Sequence, residues 1–373
     1  MTDKVGIYIH VPFCLSKCHY CDFCSRTRVD EETKSLYVKR VCEEIKASGS
    51  RLSGSLPVAD TVYFGGGTPT LLSPSQFSVI LDTVNEVFGI DADAEITSET
   101  NPKSADLTKL SNMRALGVNR LSIGMQSIHD SELRALGRIH DHAGFLVSYS
   151  DARRAGFDNI SVDLMYGIPE QTMVSFEESV RTLISIAPEH ISSYCLTVED
   201  GTNFGRRRDS LILPDEDIVS DMYRTMTDLL RSGGYEKYEI SNFANNGQVS
   251  RHNLKYWKRE GYVGFGPAAH SFFEGRRFAN SRDVEGYIAG KDIREYSEVI
   301  EGDDAADEFV MLGMRLREGI DMEEFNRLFN IDFMTRYGNV FKRFAPEYIS
   351  IDEKRCAFTD KGLFVSNYIL SET

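Results

Sequence analysis

The chain has 373 residues, 41% of them hydrophobic and 27% charged, enough for a folded core with more than one average domain or a barrel with an appendage. With 42 basic against 57 acidic side chains it carries a formal charge of −15, which argues against a sequence-independent grip on nucleic acid or an anionic membrane. No run approaches the ~20 apolar residues of a membrane helix, and Met1–Cys14 has no apolar signal core after Lys4; the expected location is the cytoplasm.

Short strand-like and helix-like segments alternate through the first half. Strands are predicted at Val5–His10, Thr61–Phe64, Glu95–Glu99, Arg120–Gln126, Ile160–Met165 and Ile191–Val198. Each is rich in β-branched residues and apolar on both faces or nearly so, as strands of a parallel barrel are. Helices are predicted between them at Asp30–Lys46, with Asp30 as N-cap, and at Ser73–Phe88, with Pro74 at its first position. Two more follow at Ser104–Leu116, closed by Gly117, and Met173–Ile186, before Pro188. Six β/α units with right-handed crossovers make an α/β fold: a parallel sheet rolled into a full or partial barrel. Such barrels place their sites at the strands' C-terminal ends, where His10, Gly65–Thr68, Glu99, Gln126, Asp163–Gly167 and Thr197 fall.

Beyond residue 205 the pattern changes. A helix is predicted at Asp215–Arg231, a strand at Tyr235–Ile240 and a glycine-rich loop at Gly261–Ser271. Helices from Ala305 to Leu316, Met322–Phe329 and Phe333–Phe344 precede strand-like text from Tyr348 to Ile369, a helical module with a small wing. The expected division is residues 1–205 as barrel, 206–300 as a connecting segment that completes the barrel mouth, and 301–373 as the C-terminal module. The runs Arg206–Arg208 and Arg276–Arg277 read as solvated faces.

Four of the seven cysteines, Cys14, Cys18, Cys21 and Cys24, lie in the loop after the first strand, while Cys42, Cys195 and Cys356 are scattered and read as small buried hydrophobes. Metal ligation explains the cluster better than disulfides. Cys14, Cys18 and Cys21 form CxxxCxxC, in which three thiolates can wrap an iron-sulfur cube and leave one iron open to a chelating molecule. The alternative is a structural zinc with Cys24 as fourth ligand, although zinc sites usually pair two separated knuckles. The glycines of Gly65–Gly67 let a backbone approach a ligand closely. Glu99 could accept from an ammonium or ribose hydroxyls, and Arg138 offers a fork for a carboxylate. A lone histidine such as His252, in HNLKYW, is usually a satisfied structural one, although a neutral imidazole can also ligate iron, with His10, His19 and His270 as rivals.

CxxxCxxC on the first loop, followed by GGGTPT after the second strand, resembles the radical SAM superfamily. Tyr8-x-His10-x-Pro12-Phe13-Cys14, Gly124-x-Gln126-Ser127, Gly137-Arg138-x-His140 and Asp163-Leu164-x-Tyr166-Gly167-x-Pro169 resemble its oxygen-independent coproporphyrinogen oxidase group. Tyr238–Ala244, His252-Asn253-x-x-Tyr256-Trp257 and Gly264-x-Gly266-Pro267-x-Ala269-His270-Ser271 are similar to the heme-chaperone branch of that group. The resemblance spans the chain and implies a partial (β/α)6 barrel with a winged-helix-like C-terminal module. It implies a 4Fe-4S cluster on Cys14, Cys18 and Cys21 and S-adenosylmethionine (SAM) held beside it by Tyr8, Gly66, Gly67, Thr68, Glu99, Gln126, Arg138 and Asp163. In such proteins an electron from the cluster cleaves SAM to methionine and a 5′-deoxyadenosyl radical. It further implies heme as cargo with His252 as candidate ligand, a heme-accepting protein and a reductant as partners, no nucleic acid, and at most transient contact with a membrane protein. The rival within the group is anaerobic decarboxylation of coproporphyrinogen III. Those decarboxylases carry a further cysteine two residues beyond the third, where this chain has Phe23, and an N-terminal extension before the first strand; both departures favour the carrier.

Overall fold

The computed structural model describes residues 4–51 and 56–373. Its centre is six parallel strands lying side by side in chain order: β1 (Lys4–Val11), β2 (Val58–Gly66), β3 (Ile90–Thr100), β4 (Arg120–Gln126), β5 (Ile160–Tyr166) and β6 (His190–Cys195). Their apolar side chains, including Ile7, Ile9, Val62, Ile123 and Val162, are buried, because helices cover one face of the sheet while the other turns inward.

Local signals set the helices. In α1 (Glu31–Arg51), Asp30 accepts a hydrogen bond from the Thr33 N–H. In α2 (Pro74–Phe88), Ser73 and Gln76 form a reciprocal capping box ahead of Pro74. The third helix, α3 (Leu107–Ala115), starts later than the sequence suggests because the Asp106 side chain caps it, accepting from the Lys109 N–H. The helix α4 (His142–Arg154), capped by Asp141, was not foreseen. The crossover α5 (Met173–Ile186) has the expected bounds.

The segment after residue 205 contributes α6 (Glu216–Ser232) and then extends the sheet at both edges. Strands β7 (Glu236–Lys237) and β8 (Asn242–Ala244) join antiparallel beyond β6. On the other side β9 (Tyr262–Phe265) pairs parallel with β1, followed by β10 (His270–Phe273), β11 (Arg276–Asn280) and β12 (Arg294–Val299). The sheet therefore has twelve strands. Gly261–Ser271, expected as a loop, forms β9 and the start of β10. Between the two edges lies α7 (Arg251–Trp257), the HNLKYW helix. It packs where the barrel strands begin: Arg251 donates to the carbonyls of Asp60 and Asp93, and His252 bonds Thr61. It closes the floor of the barrel, at the end opposite the expected mouth.

The C-terminal module has its own core, with Val310, Met314, Phe325, Phe333, Phe341 and Cys356 packed together. Helices Gly302–Gly313 and Met322–Phe329 lead to a three-stranded wing of Ile320–Asp321, Arg355–Phe358 and Ile349–Ile351. The final stretch, expected as strand, is helical from Asp360, because Thr359 caps that turn by accepting from the Gly362 N–H. No helix among the described residues is long and apolar enough to cross a membrane.

Candidate functional site

The strand ends open onto a cavity of about 540 Å³ that runs from the cysteine loop to the barrel floor. Cys14, Cys18 and Cys21 line it together with Gly66, Gly67, Glu99, Gln126, Arg138 and Asp163. Residues from four strands, the cysteine loop and the Arg138 loop thus meet at one opening, although they lie far apart in the chain.

The cysteine loop is braced from several directions. Arg138 donates one guanidinium N–H to the Cys18 sulfur at 3.6 Å and two others to Asn101 Oδ1 and the Gly124 carbonyl, each at 2.6 Å. Its fork is therefore spent largely on the protein rather than left free for a ligand carboxylate. Thr68 donates to Cys14 Sγ at 3.7 Å and accepts from Asn101 Nδ2 at 2.8 Å, so it braces the loop from the side. Burial pushes the Cys14 thiol up and the Cys21 thiol up to about 11; binding a metal cluster would release their protons.

Cys24 is apart from these three. It is buried, does not line the cavity, and donates to the Arg282 carbonyl. No three His, Cys, Asp or Glu side chains among the described residues converge tightly enough to hold a single metal ion. Cys24 thus does not join Cys14, Cys18 and Cys21 in the cavity lining, as the fourth ligand of a zinc there would.

Glu99 forms the wall opposite. Its carboxylate accepts from Tyr63 Oη and from the Gly66 N–H, both at 3.0 Å. Burial, helped by the nearby Asp163 charge, raises its pKa to about 7. Asp163 accepts from Ser122 Oγ at 2.9 Å and is also shifted upward by burial. Gln126 sits at a strand irregularity with φ of 68°, a left-handed conformation that costs a non-glycine residue strain, and its Oε1 accepts from Tyr194 Oη. Tyr8 lies just behind this wall, its hydroxyl 3.1 Å from His10 Nδ1 and its ring stacked on Tyr63.

The glycine run has a reason different from ligand approach alone. At Gly66, φ is 102° and a Cβ would stand 2.5 Å from the His10 ring; at Gly67 it would stand 2.6 Å from the Phe13 carbonyl. These glycines let the end of β2 pass directly against the start of the cysteine loop.

The heme assignment of His252 does not fit its surroundings. The ring is buried, Nδ1 lies 2.7 Å from Thr61 Oγ1, and Nε2 lies 2.8 Å from Tyr256 Oη. Burial lowers its pKa to about 3, and both nitrogens are already engaged. It anchors α7 to the barrel floor. His10 is similarly committed, to Tyr8 and to the Cys24 carbonyl. His19 bonds the Ala135 carbonyl through Nδ1, and His270 is exposed beside Tyr296. Tyr63, which opens the glycine motif, also lines the cavity, as do Asn101, Arg120 and Tyr194, of which only Asn101, close to Glu99, carries a positional signal in the sequence.

Family models match the radical SAM superfamily over residues 8–183 and the HemN C-terminal domain over residues 300–365. The solved structure of coproporphyrinogen III oxidase (HemN) from Escherichia coli superposes with a TM-score of 0.85, covering 99% of this chain and 90% of that one at 22% identity. The parallel sheet, cysteine loop and C-terminal module are thus those of a radical SAM protein. Heme chaperone HemW of Bacillus subtilis (strain 168) is 34% identical over 97% of each chain. HemW of Lactococcus lactis is 32% identical over 98% of this chain and 96% of its own, and that of Escherichia coli K12 is 35% identical over 86% and 85%. The chain belongs to the HemW heme-chaperone family of the radical SAM superfamily.

Proposed function

We propose that this protein carries heme and hands it to an acceptor protein, with a 4Fe-4S cluster on Cys14, Cys18 and Cys21 and SAM in the adjoining cavity. The observation that supports it best is the shared opening, where three thiols face Gly66, Gly67, Glu99, Gln126 and Asp163 in a chain whose full-length relatives are named heme chaperones.

When bound, the cluster would supply a single electron at the cavity. The residues around it do the remaining work. Cys14, Cys18 and Cys21, which line the cavity together, would hold the cluster. Arg138 places a positive charge on the Cys18 sulfur and pins the loop to Asn101 and Gly124. Glu99, near its midpoint at neutral pH, takes up or releases a proton where a ligand ammonium would sit. Phe23, 65% exposed, borders the opening where the decarboxylases have a cysteine.

On this reading SAM-dependent decarboxylation is not the protein's task. Anaerobically reconstituted protein, supplied with SAM, a reductant and coproporphyrinogen III, is expected to leave the porphyrinogen unchanged by chromatography. Conversion to protoporphyrinogen IX would replace the carrier reading with the enzyme.

A further inference from the structure

The floor of the cavity holds an arginine whose Nε has no partner. Arg120 begins β4, is 2% exposed, and lines the cavity. Its Nε is buried and has no hydrogen-bond partner among the described residues. Burying a guanidinium without acceptors is unfavourable, so buried arginines are normally paired.

The polar groups around it are bonded to one another, and none forms a hydrogen bond with its Nε. His190 Nδ1 lies 2.8 Å from Ser161 Oγ, and its Nε2 lies 2.8 Å from Tyr238 Oη. Tyr63 donates to Glu99, and Ser122 donates to Asp163. Asp163 feels the Arg120 charge, which opposes its upward shift, yet the two do not form an ion pair. Arg138, the other guanidinium on the cavity wall, by contrast bonds Asn101, Gly124 and Cys18.

We propose that the barrel floor is a carboxylate subsite, in which Arg120 receives the carboxylate of a ligand lying in the cavity. A planar fork with several N–H donors suits two carboxylate oxygens at once. Ser122, Ser161 and the amide of Asn253 line the same cavity and add neutral hydrogen-bonding groups, while burial favours the uncharged form of the neighbouring Asp163. Such a carboxylate could belong to a propionate arm of heme or to a small organic acid. The subsite stands on the cavity alone; only its heme form rests on the carrier reading.

The test titrates the full-length reconstituted protein, anaerobically, with heme, with heme dimethyl ester and with glutarate, in wild type, Arg120→Met and Arg120→Lys. Wild type is expected to bind at least one carboxylate ligand, heme or glutarate, and Arg120→Met to weaken it about tenfold or more, the effect of losing a charge-assisted partner. The dimethyl ester should bind wild type and Arg120→Met alike. A heme-only effect identifies the propionate, and a glutarate effect identifies a small acid. Failure of heme to bind wild type would sink the carrier reading, while the glutarate arm still decides the subsite. Arg120→Lys keeps the charge but not the fork; it should fall between the other two, and it serves if Arg120→Met does not fold. Carboxylate binding that is absent, or that neither substitution changes, overturns the subsite, as does equal weakening of heme and its ester.

Discussion

Arg138 reaches across 120 residues of sequence to place a guanidinium N–H 3.6 Å from the Cys18 sulfur. A cation beside one of three ligand thiols stabilises the thiolate and any negative charge the cluster gains on reduction. Replacing Arg138 with Gln should therefore lower the midpoint potential of the reconstituted cluster, and also loosen the loop by removing hydrogen bonds worth about 1.5–3 kcal/mol where charge is involved. Spectroelectrochemical titration gives the shift. An unchanged or raised potential would show that the guanidinium does not act on the cluster.

The ligand set makes a sharper distinction. Cys14→Ala, Cys18→Ala and Cys21→Ala should each lose most of the cluster absorbance and bound iron, since two thiolates hold a cube poorly. Cys24→Ala should keep it, because Cys24 points away from the cavity to the Arg282 carbonyl. Iron and sulfide analysis after reconstitution settles the comparison, and equal loss in Cys24→Ala would indicate a four-cysteine site.

Glu99 gives the site a pH dependence. Its pKa lies at about 7, raised by burial from the usual carboxylate range. An acid raised in this way contributes stability that is present at pH below its unfolded value and lost as pH rises through about 7. Ligand binding runs the opposite way, because only the ionised carboxylate attracts an ammonium. SAM affinity should rise between pH 6 and 8, about one unit either side of that midpoint, and Glu99→Gln should flatten the rise. A wild-type affinity that is level across this interval would remove Glu99 from the amino-group contact.

His252 is expected to be structural. His252→Ala removes bonds to Thr61 and Tyr256 and leaves the buried Thr61 hydroxyl without its partner, a loss of about 2–4 kcal/mol by the usual values for buried polar groups. Thermal denaturation should show the lower stability, while heme bound by the surviving folded protein keeps its absorption spectrum. A changed heme spectrum with unchanged stability would return His252 to the iron.

Much of this was legible in the residues. Strand β4 has the bounds read from its apolar text, and α5 those read from its periodicity, because both faces of a barrel strand and one face of a surface helix must be buried. The cysteine spacing and the positions of Glu99, Gln126 and Asp163 at strand ends were equally visible. The edges of the sheet were not: β9 and β10 lie in glycine-rich text whose strand pairing depends on β1, more than 250 residues earlier in numbering. Nor could the sequence alone show that Thr61 and Tyr256 occupy both nitrogens of His252, or that Arg120, outwardly the first residue of a strand, faces a cavity without a partner.

Heme binding itself is the most direct test of the proposed role. Optical titration of the reconstituted protein with heme, under anaerobic conditions, should saturate near one equivalent per chain with the cluster still present. A linear, unsaturable rise in absorbance, the same as that of free heme in buffer, would contradict it.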